Sequence, residues 1–481
     1  MPVENLRLPK KSSETWGDGM NKRVDQVIAG MKDEIIEAVR GALKSRSVES
    51  EPVEGGPFGE GVKEALEYVV ELGGKLGFET KNVEGYAGHV QFGESGDIFA
   101  ILGHVDVVPE GSGWSIPPFE GGVKDGRIYG RGAVDNKGPV IAALYAMKAV
   151  RDAGVVPKNR VRLIVGTNEE SGWKGISHYL RVEEMPESGV TPDAYFPMIF
   201  AEKGIVNYVI SAPITGSALD ESAIIRVKGG DAANMVPADA EAELALSQEE
   251  VKELVSSFSP ANETTVSVEN SESGTRVLFK GKSAHGSKPE KGVNAISTMV
   301  DFLCKIPSVK GECRVYLEAI RDKLGYEQEG LSLGVSGTDR LSGKLTVNLG
   351  KILLEPGSAS VEINIRYPVM FNEPMIFTQV KESFGGFEVA RKNHKEPLFV
   401  SPDSELVKLL QEVYQEMTGQ RGDPIAIGGG TYARAIKNAV AFGPLLPGRP
   451  EVEHQPDEYI AIEDLMLLAR IYAQLIFRVV S

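Results

Sequence analysis

Cysteine is nearly absent from this chain: Cys304 and Cys313 are the two among 481 residues. Two thiols cannot build the disulfide framework of a small secreted domain. Their places beside apolar helical segments predict buried, reduced side chains and a cytoplasmic setting. Long apolar runs are missing as well. No stretch approaches the roughly 18 consecutive apolar residues of a membrane-spanning helix, so no membrane partner is expected. The first 20 residues (MPVENLRLPKKSSETWGDGM) hold no apolar stretch of the signal-peptide kind and read as an irregular N-terminal extension. Positive charge is the scarcer sign. The 52 Lys and Arg face 68 Asp and Glu, a net charge of −16 with His neutral. No basic cluster longer than a pair stands out, which argues against a nucleic-acid partner. The G-x-S-x-G elbow of a serine hydrolase does not occur. Histidine is sparse, with six: His89, His104, His178, His285, His394 and His454. Metal or acid–base chemistry therefore has few imidazoles to draw on.

What is present is globular. Hydrophobic content of 42% and charged content of 25% exclude a disordered chain, and the length predicts two or three domains. A helical pattern runs from about Asn21 to Leu43, with Val24, Val27, Ile28, Met31, Ile35, Ile36 and Val39 at helical spacing. A second helix is predicted over Gly61–Leu76. Apolar strands and helices then alternate. DIFAIL (97–102) is a strand, 139–153 a helix, VRLIV (161–165) a strand, and a further helix begins at Ile176. This order predicts an α/β domain with a mixed, mainly parallel sheet flanked by helices, and functional groups at the carboxyl ends of its strands. From residue 204 the texture changes to short alternating runs: IVNYVI (205–210), SAIIRV (222–227), AELAL (242–246), TTVSV (264–268), RVLF (276–279), LTVNLGK (345–351) and SVEINIRY (360–367). A helix over Gly292–Lys305 interrupts them. An α+β insert over 204–395 is predicted, dividing an α/β domain of residues 21–203 and 396–481. Helices return at Ser404–Met417, Tyr432–Ile436 and Ile462–Val480.

Five polar clusters carry candidate chemistry. In Gly103-His104-Val105-Asp106, an extended backbone points His104 and Asp106 to one side, so a carboxylate can fix the tautomer of a metal-binding imidazole. A strand-end histidine satisfying a turn is the plainer reading. Gly130-Arg131-Gly132-Ala133-Val134-Asp135-Asn136-Lys137-Gly138 makes a tight turn that presents Asp135, which alone could be a helix cap. Thr167-Asn168-Glu169-Glu170-Ser171 follows an apolar strand. Adjacent carboxylates there repel unless a cation intervenes, although a solvated acidic loop is the ordinary alternative. Asp193 and His454 would each be unremarkable alone. Together they supply two imidazoles and at least three carboxylates at the ends of successive elements. Mixed nitrogen and oxygen ligation suits Zn²⁺, with Mn²⁺ or Co²⁺ as alternatives. Five ligands with one shared carboxylate suit two metal ions and leave a position for a bridging hydroxide.

The segments GHVDVVP, GRGAVDNKGP, GTNEESGW, PDA and EHQPDE, in this order, resemble the di-zinc metallopeptidase family of aminoacylases, succinyl-diaminopimelate desuccinylases and carboxypeptidase G. GGDAANMVPADAEA and GKSAHGSKPEKGVNAI resemble its peptidase V branch of bacterial dipeptidases. The resemblance implies His104 and Asp193 on one metal, Glu170 and His454 on the other, and Asp135 bridging. It implies Glu169 as general base, Asp106 as the partner that orients His104, and a cis peptide after Asp135. It makes the insert a lid of two sub-units. There His285 would stabilise the oxyanion with help from Asn234, and Arg366 would hold the substrate carboxylate together with Gly428, Gly429, Gly430 and Thr431. Alone, His285 reads as a surface-loop residue and the glycines as a plain turn. His89, His178 and His394 lack a motif and read as structural or exposed. The implied activity is hydrolysis of unblocked dipeptides by a monomer whose second lid sub-unit replaces a dimer partner. A β-Ala-His dipeptidase, a deacylase or a desuccinylase is the near alternative. A non-catalytic protein retaining the fold is the distant one.

Overall fold

The structure is a computed structural model that describes residues 18–214 and 222–481. The extension expected over residues 1–20 lies outside the described residues as far as residue 17. The chain divides into two compact units. One takes in the described residues up to Phe200, with Val400–Ile425 and Gly430–Ser481; the other takes in Ala201–Phe399 and Ala426–Gly429.

The first unit is built on the strand Ile98–His104, whose seven residues are all buried. A strand covered on both faces reads as an unbroken apolar run rather than an alternation, which is why IFAIL stands out in the sequence. Arg160–Gly166 and Ser188–Thr191 flank it, both parallel to it, and Ala439–Ala441 continues the parallel set beyond Ser188–Thr191. Ala87–Phe92 and Glu79–Val83 extend the other side antiparallel. Ala441 pairs antiparallel with Ile199 at the far side. The sheet is therefore mixed with a parallel centre, as the alternation of strands and helices predicts. The helix Lys137–Asp152 buries thirteen residues, almost its whole circumference, against the helix Ile462–Val480 and the central strands. His104 lies opposite Gly166 in the register, so the two strands end level. The Thr191 hydroxyl donates to the Leu102 carbonyl at 2.6 Å and fixes the third strand end beside them. Three loops, starting at residues 105, 167 and 192, therefore leave one edge of the sheet, where ligands bind in open α/β sheets.

The second unit holds one antiparallel sheet of eight strands. In order these are Thr265–Asn270, Thr275–Lys280, Asp239–Leu244, Ile224–Gly229, Thr346–Glu355, Ser358–Tyr367, Gly204–Ala212 and Glu388–Lys395. The two strand-rich parts of the insert are joined by three pairings, Val227–Leu354, Lys228–Leu353 and Gly229–Ile352. Phe279, Ile296, Met299, Phe302, Tyr316, Ile363 and Tyr367 belong to the core of this unit. Cys304 and Cys313 are buried within it, neither in a disulfide.

Several element boundaries differ from the periodicity. The helix expected over Asn21–Leu43 is two, Asp18–Gly30 and Lys32–Ala42, broken beside a glycine that favours helix poorly. The Gly292 helix begins at Ala295, because the Asn294 side chain accepts from the amides of Ile296 and Ser297 and caps it. The Tyr432 segment is a short 3-10 turn over Tyr432–Ala435. Helices Gln248–Ser257, Gly311–Lys323 and Glu373–Ser383 add to the sequence reading. No helix among the described residues is long and apolar enough to cross a membrane.

Candidate metal centre

Each donor of the first unit stands just beyond a strand or on a short loop. His104 is fully buried, and Asp135, Glu169, Glu170 and Asp193 are half-buried. His104 Nδ1 lies 2.9 Å from the carbonyl of Asp106 and 3.5 Å from its Oδ1. A proton on Nδ1 is satisfied by that carbonyl, which turns the Nε2 lone pair toward the acids. The carboxylate of Asp106 acts elsewhere too: its Oδ2 accepts from the Glu170 amide at 3.0 Å. One residue thus orients both His104 and the Glu169–Glu170 loop.

Asp135 is the hub. Its Oδ1 lies 3.1 Å from His104 Nε2, and its Oδ2 lies 2.9 Å from His454 Nε2. His454 Nε2 is also 3.2 Å from Glu170 Oε1, and His104 Nε2 is 3.6 Å from Asp193 Oδ1. Donor atoms of His104, Glu169 and Asp193 lie within 4.8 Å of one another, as do those of His104, Asp135 and Glu170. Proximity alone makes His104 the shared member. Asp135, by direction, turns one carboxylate oxygen toward each imidazole. The Asp135–Asn136 peptide is cis. The buried Asn136 amide donates to the Pro192 carbonyl, and its Oδ1 accepts from the His104 amide at 3.4 Å, which joins the loops of Asp135, Asp193 and His104.

The charges do not balance among these side chains. Burial, then the charges of Asp135 and Glu170, push Asp193 up to about 7. Burial and the Asp193 charge hold the Glu169 carboxyl well above the usual carboxylate range. Burial and Asp135 raise Glu170. Burial would lower His104, yet its contacts with Asp106, Asp135 and Asp193 carry it well above 6.5. Hydrogen bonds to Asp135 and Glu170 raise His454 to about 11. Imidazoles that bind protons tightly beside crowded acids mark a place short of positive charge. Two imidazole nitrogens and four carboxylates, with Asp135 facing both ways, fit two divalent cations.

Further residues here escape the sequence reading. Trp173, in the left-handed region at φ 62°, donates its indole N–H to Glu169 Oε1 at 3.0 Å. The buried Tyr432 ring packs edge-on against both Trp173 and His104. Arg131 and Glu458 form a buried ion pair at 2.7 Å. Thr431 caps the turn after it by accepting from the Ala433 amide. Of the unassigned histidines, His89 is buried at 2.8 Å from the Tyr179 hydroxyl, and His178 stacks on Tyr86.

The second unit gathers its own polar set. The Ser287 amide donates to His285 Nδ1 at 3.2 Å, so the ring proton sits on Nε2 and is left to donate. Burial, then Arg366 and Lys288, lower His285 and keep the ring neutral. The Asn234 carbonyl accepts from the Gly286 amide at 2.6 Å, which sets Asn234 beside His285. The Asn348 side chain donates to the carbonyls of Ala233 and Met235, on either side of Asn234, a role the sequence does not signal. Buried Arg366 donates Nε to Asn364 at 2.8 Å and Nη1 to the Gly428 carbonyl at 3.2 Å. His394 lies 2.6 Å from the Tyr367 hydroxyl.

Comparisons with known proteins bear on the family and the fold. Residues 100–478 match the family described as Peptidase family M20/M25/M40. A Bacillus subtilis (strain 168) protein named "Putative dipeptidase YtjP" is 41% identical over 455 residues, 93% of this chain and 97% of that one. A Staphylococcus epidermidis (strain ATCC 12228 / FDA PCI 1200) protein with the dipeptidase description is 34% identical over 93% of this chain and 97% of its own. Among solved structures, human carnosine dipeptidase 1 superposes with a TM-score of 0.55 at 14% identity, over 95% of this chain and 99% of that chain. The Sulfolobus solfataricus metallo-carboxypeptidase Sso-CP2 gives 0.54 at 18% identity, over 93% and 99%. Both structures bear on the fold.

Proposed function

The chain belongs to Peptidase family M20/M25/M40, hydrolases of peptide bonds, and on that footing we propose that it is a two-metal dipeptidase acting on unblocked dipeptides. The observation that carries this reading is Asp135, with one oxygen toward His104 and the other toward His454. His104 and Asp193 would hold one cation, Glu170 and His454 the second, with Asp135 between them. Zn²⁺ suits the mixture of nitrogen and oxygen donors, and Mn²⁺ or Co²⁺ are the alternatives. These residues would have their crowded charge offset by such cations, which would supply a bound water with its pKa lowered toward about 7.

Glu169 is the residue left for proton transfer. Burial raises its proton affinity, which suits a group that takes a proton from the attacking water and returns it to the leaving amine. Trp173 holds one carboxylate oxygen and leaves the other for that exchange. His285, neutral and with its proton on Nε2, has the donor that a developing oxyanion needs, and Asn234 stands beside it. Arg366, beside the Gly428 carbonyl, offers a guanidinium for the substrate's terminal carboxylate. The insert is long enough for a second lid sub-unit to take the place of a dimer partner, which would make the enzyme a monomer. Two buried cysteines outside any disulfide suit the cytoplasm.

The test is a substrate panel on metal-stripped protein with Zn²⁺ or Mn²⁺ restored separately. Free dipeptides are cleaved, whereas N-acyl amino acids and longer peptides are poor substrates. Preferential hydrolysis of N-acyl amino acids would make the protein a deacylase and overturn the dipeptidase reading.

A further inference from the structure

Beyond their mutual contact, the buried Arg131 and Glu458 side chains bond to backbone groups of the loops that carry the candidate metal ligands. Glu458 is fully buried and Arg131 is 1% exposed. Glu458 Oε1 accepts from the amides of Gly132, Val134 and Asp135 at 3.1, 3.0 and 3.2 Å. Its Oε2 accepts from Arg131 Nη1 at 2.7 Å and from the Gly132 amide at 3.2 Å. The Glu458 carbonyl accepts from the Gly130 amide at 3.0 Å. Arg131 in turn donates Nη1 to the Gln455 carbonyl, and Nη2 to the carbonyls of Pro109 and Glu110, all at 3.4 Å. One ion pair therefore fastens three segments: the turn ending at Asp135, the stretch that begins at His454, and the loop after His104 and Asp106.

The amide of Asp135 is among the groups held. A buried ion pair is weak evidence for stability, because apolar replacements of similar volume often serve as well. Its value here is directional. The carboxylate of Asp135 faces His104 and His454 with separate oxygens, and a small rotation of its backbone withdraws one of them. His104 and Asp193 are fixed independently, by the ends of paired strands and by Asn136. His454 lies on an exposed loop at φ 62°, four residues before Glu458, a loop that is tied also at Asp457, whose Oδ1 accepts from the Ser115 amide at 2.7 Å. We infer that Arg131–Glu458 is a positioning pair that holds Asp135 in its bridging orientation and keeps His454 within reach, so that it governs the cation beside His454 more than the cation beside His104.

This rests on the two-cation reading above, and the experiment separates the two. Metal-stripped wild type, Glu458→Gln and Arg131→Met are titrated calorimetrically with Zn²⁺ alone, and circular dichroism checks the fold. Wild type is expected to bind two equivalents. Each variant is expected to keep the first and to bind the second about 10–100-fold more weakly. Excess Zn²⁺ restores kcat in the variants, and the dipeptide KM stays unchanged. Arg131→Lys, which keeps the charge but lacks the fork, falls between. Two equivalents bound with wild-type affinity in folded variants of lower Tm would overturn the inference and leave a structural strut. Equal weakening of both equivalents would overturn it as well, as would failure of both variants to fold. Wild type that binds fewer than two equivalents counts against the two-cation reading instead.

Discussion

Glu169 has one oxygen held by the Trp173 indole and a proton affinity raised by burial and by Asp193. Glu169→Gln keeps the shape and removes the base. Turnover should fall by about 10²–10⁴ with bound metal unchanged, measured as kcat beside metal content. Trp173→Phe keeps the ring but deletes the donor, and should lower kcat about tenfold, the order of one charge-assisted hydrogen bond. Unchanged kcat in either variant rejects that residue's role. The ligand motifs can be read in sequence because each is a short cluster at a strand end or in a turn. Their supports cannot. Glu458 and Gly132 lie 326 residues apart, and Glu458 works through backbone amides, which leave no side-chain signature. Trp173 likewise carries no role in the sequence reading; its indole is seen on Glu169 only in the structure.

At the scale of elements, the strand Ala87–Phe92 meets the helix Lys174–Val182 through His89 and Tyr179. Burial, then Arg162, lowers His89 to about 4, below its ordinary value of 6.5. The unfolded chain therefore takes up this proton first as pH falls. The stability carried by the neutral ring is complete above pH 6.5 and is lost progressively between about 6.5 and 4, by at most about 3 kcal/mol. His89→Gln should flatten the pH dependence of urea unfolding across that window. A slope equal to wild type contradicts the assignment. Strongly apolar elements were legible, such as IFAIL and the helix Ile462–Val480. The strand Glu79–Val83 (ETKNV) has no apolar run to signal it. The helix Gly311–Lys323 buries only Cys313, Tyr316, Leu317 and Ile320, too thin a stripe to stand out among its charges.

For the whole molecule, the alternation of strands and helices pointed to the α/β unit, and the change of texture near residue 204 to the antiparallel one. The continuity of the eight-stranded sheet was not legible, because only three paired positions join its halves. If one chain is the complete enzyme, an equimolar mixture of Glu169→Gln and His285→Ala proteins recovers no activity. Recovery toward a quarter or half of wild type would require subunits that share sites. The net charge of −16 also changes meaning, since two dications would bring it to −12. The most direct test of the central claim is stepwise Zn²⁺ addition to stripped protein while hydrolysis of a free dipeptide is followed. The account predicts activity that depends on metal and reaches its plateau at two equivalents per chain. Full activity in stripped protein, or none with two equivalents bound, would contradict it.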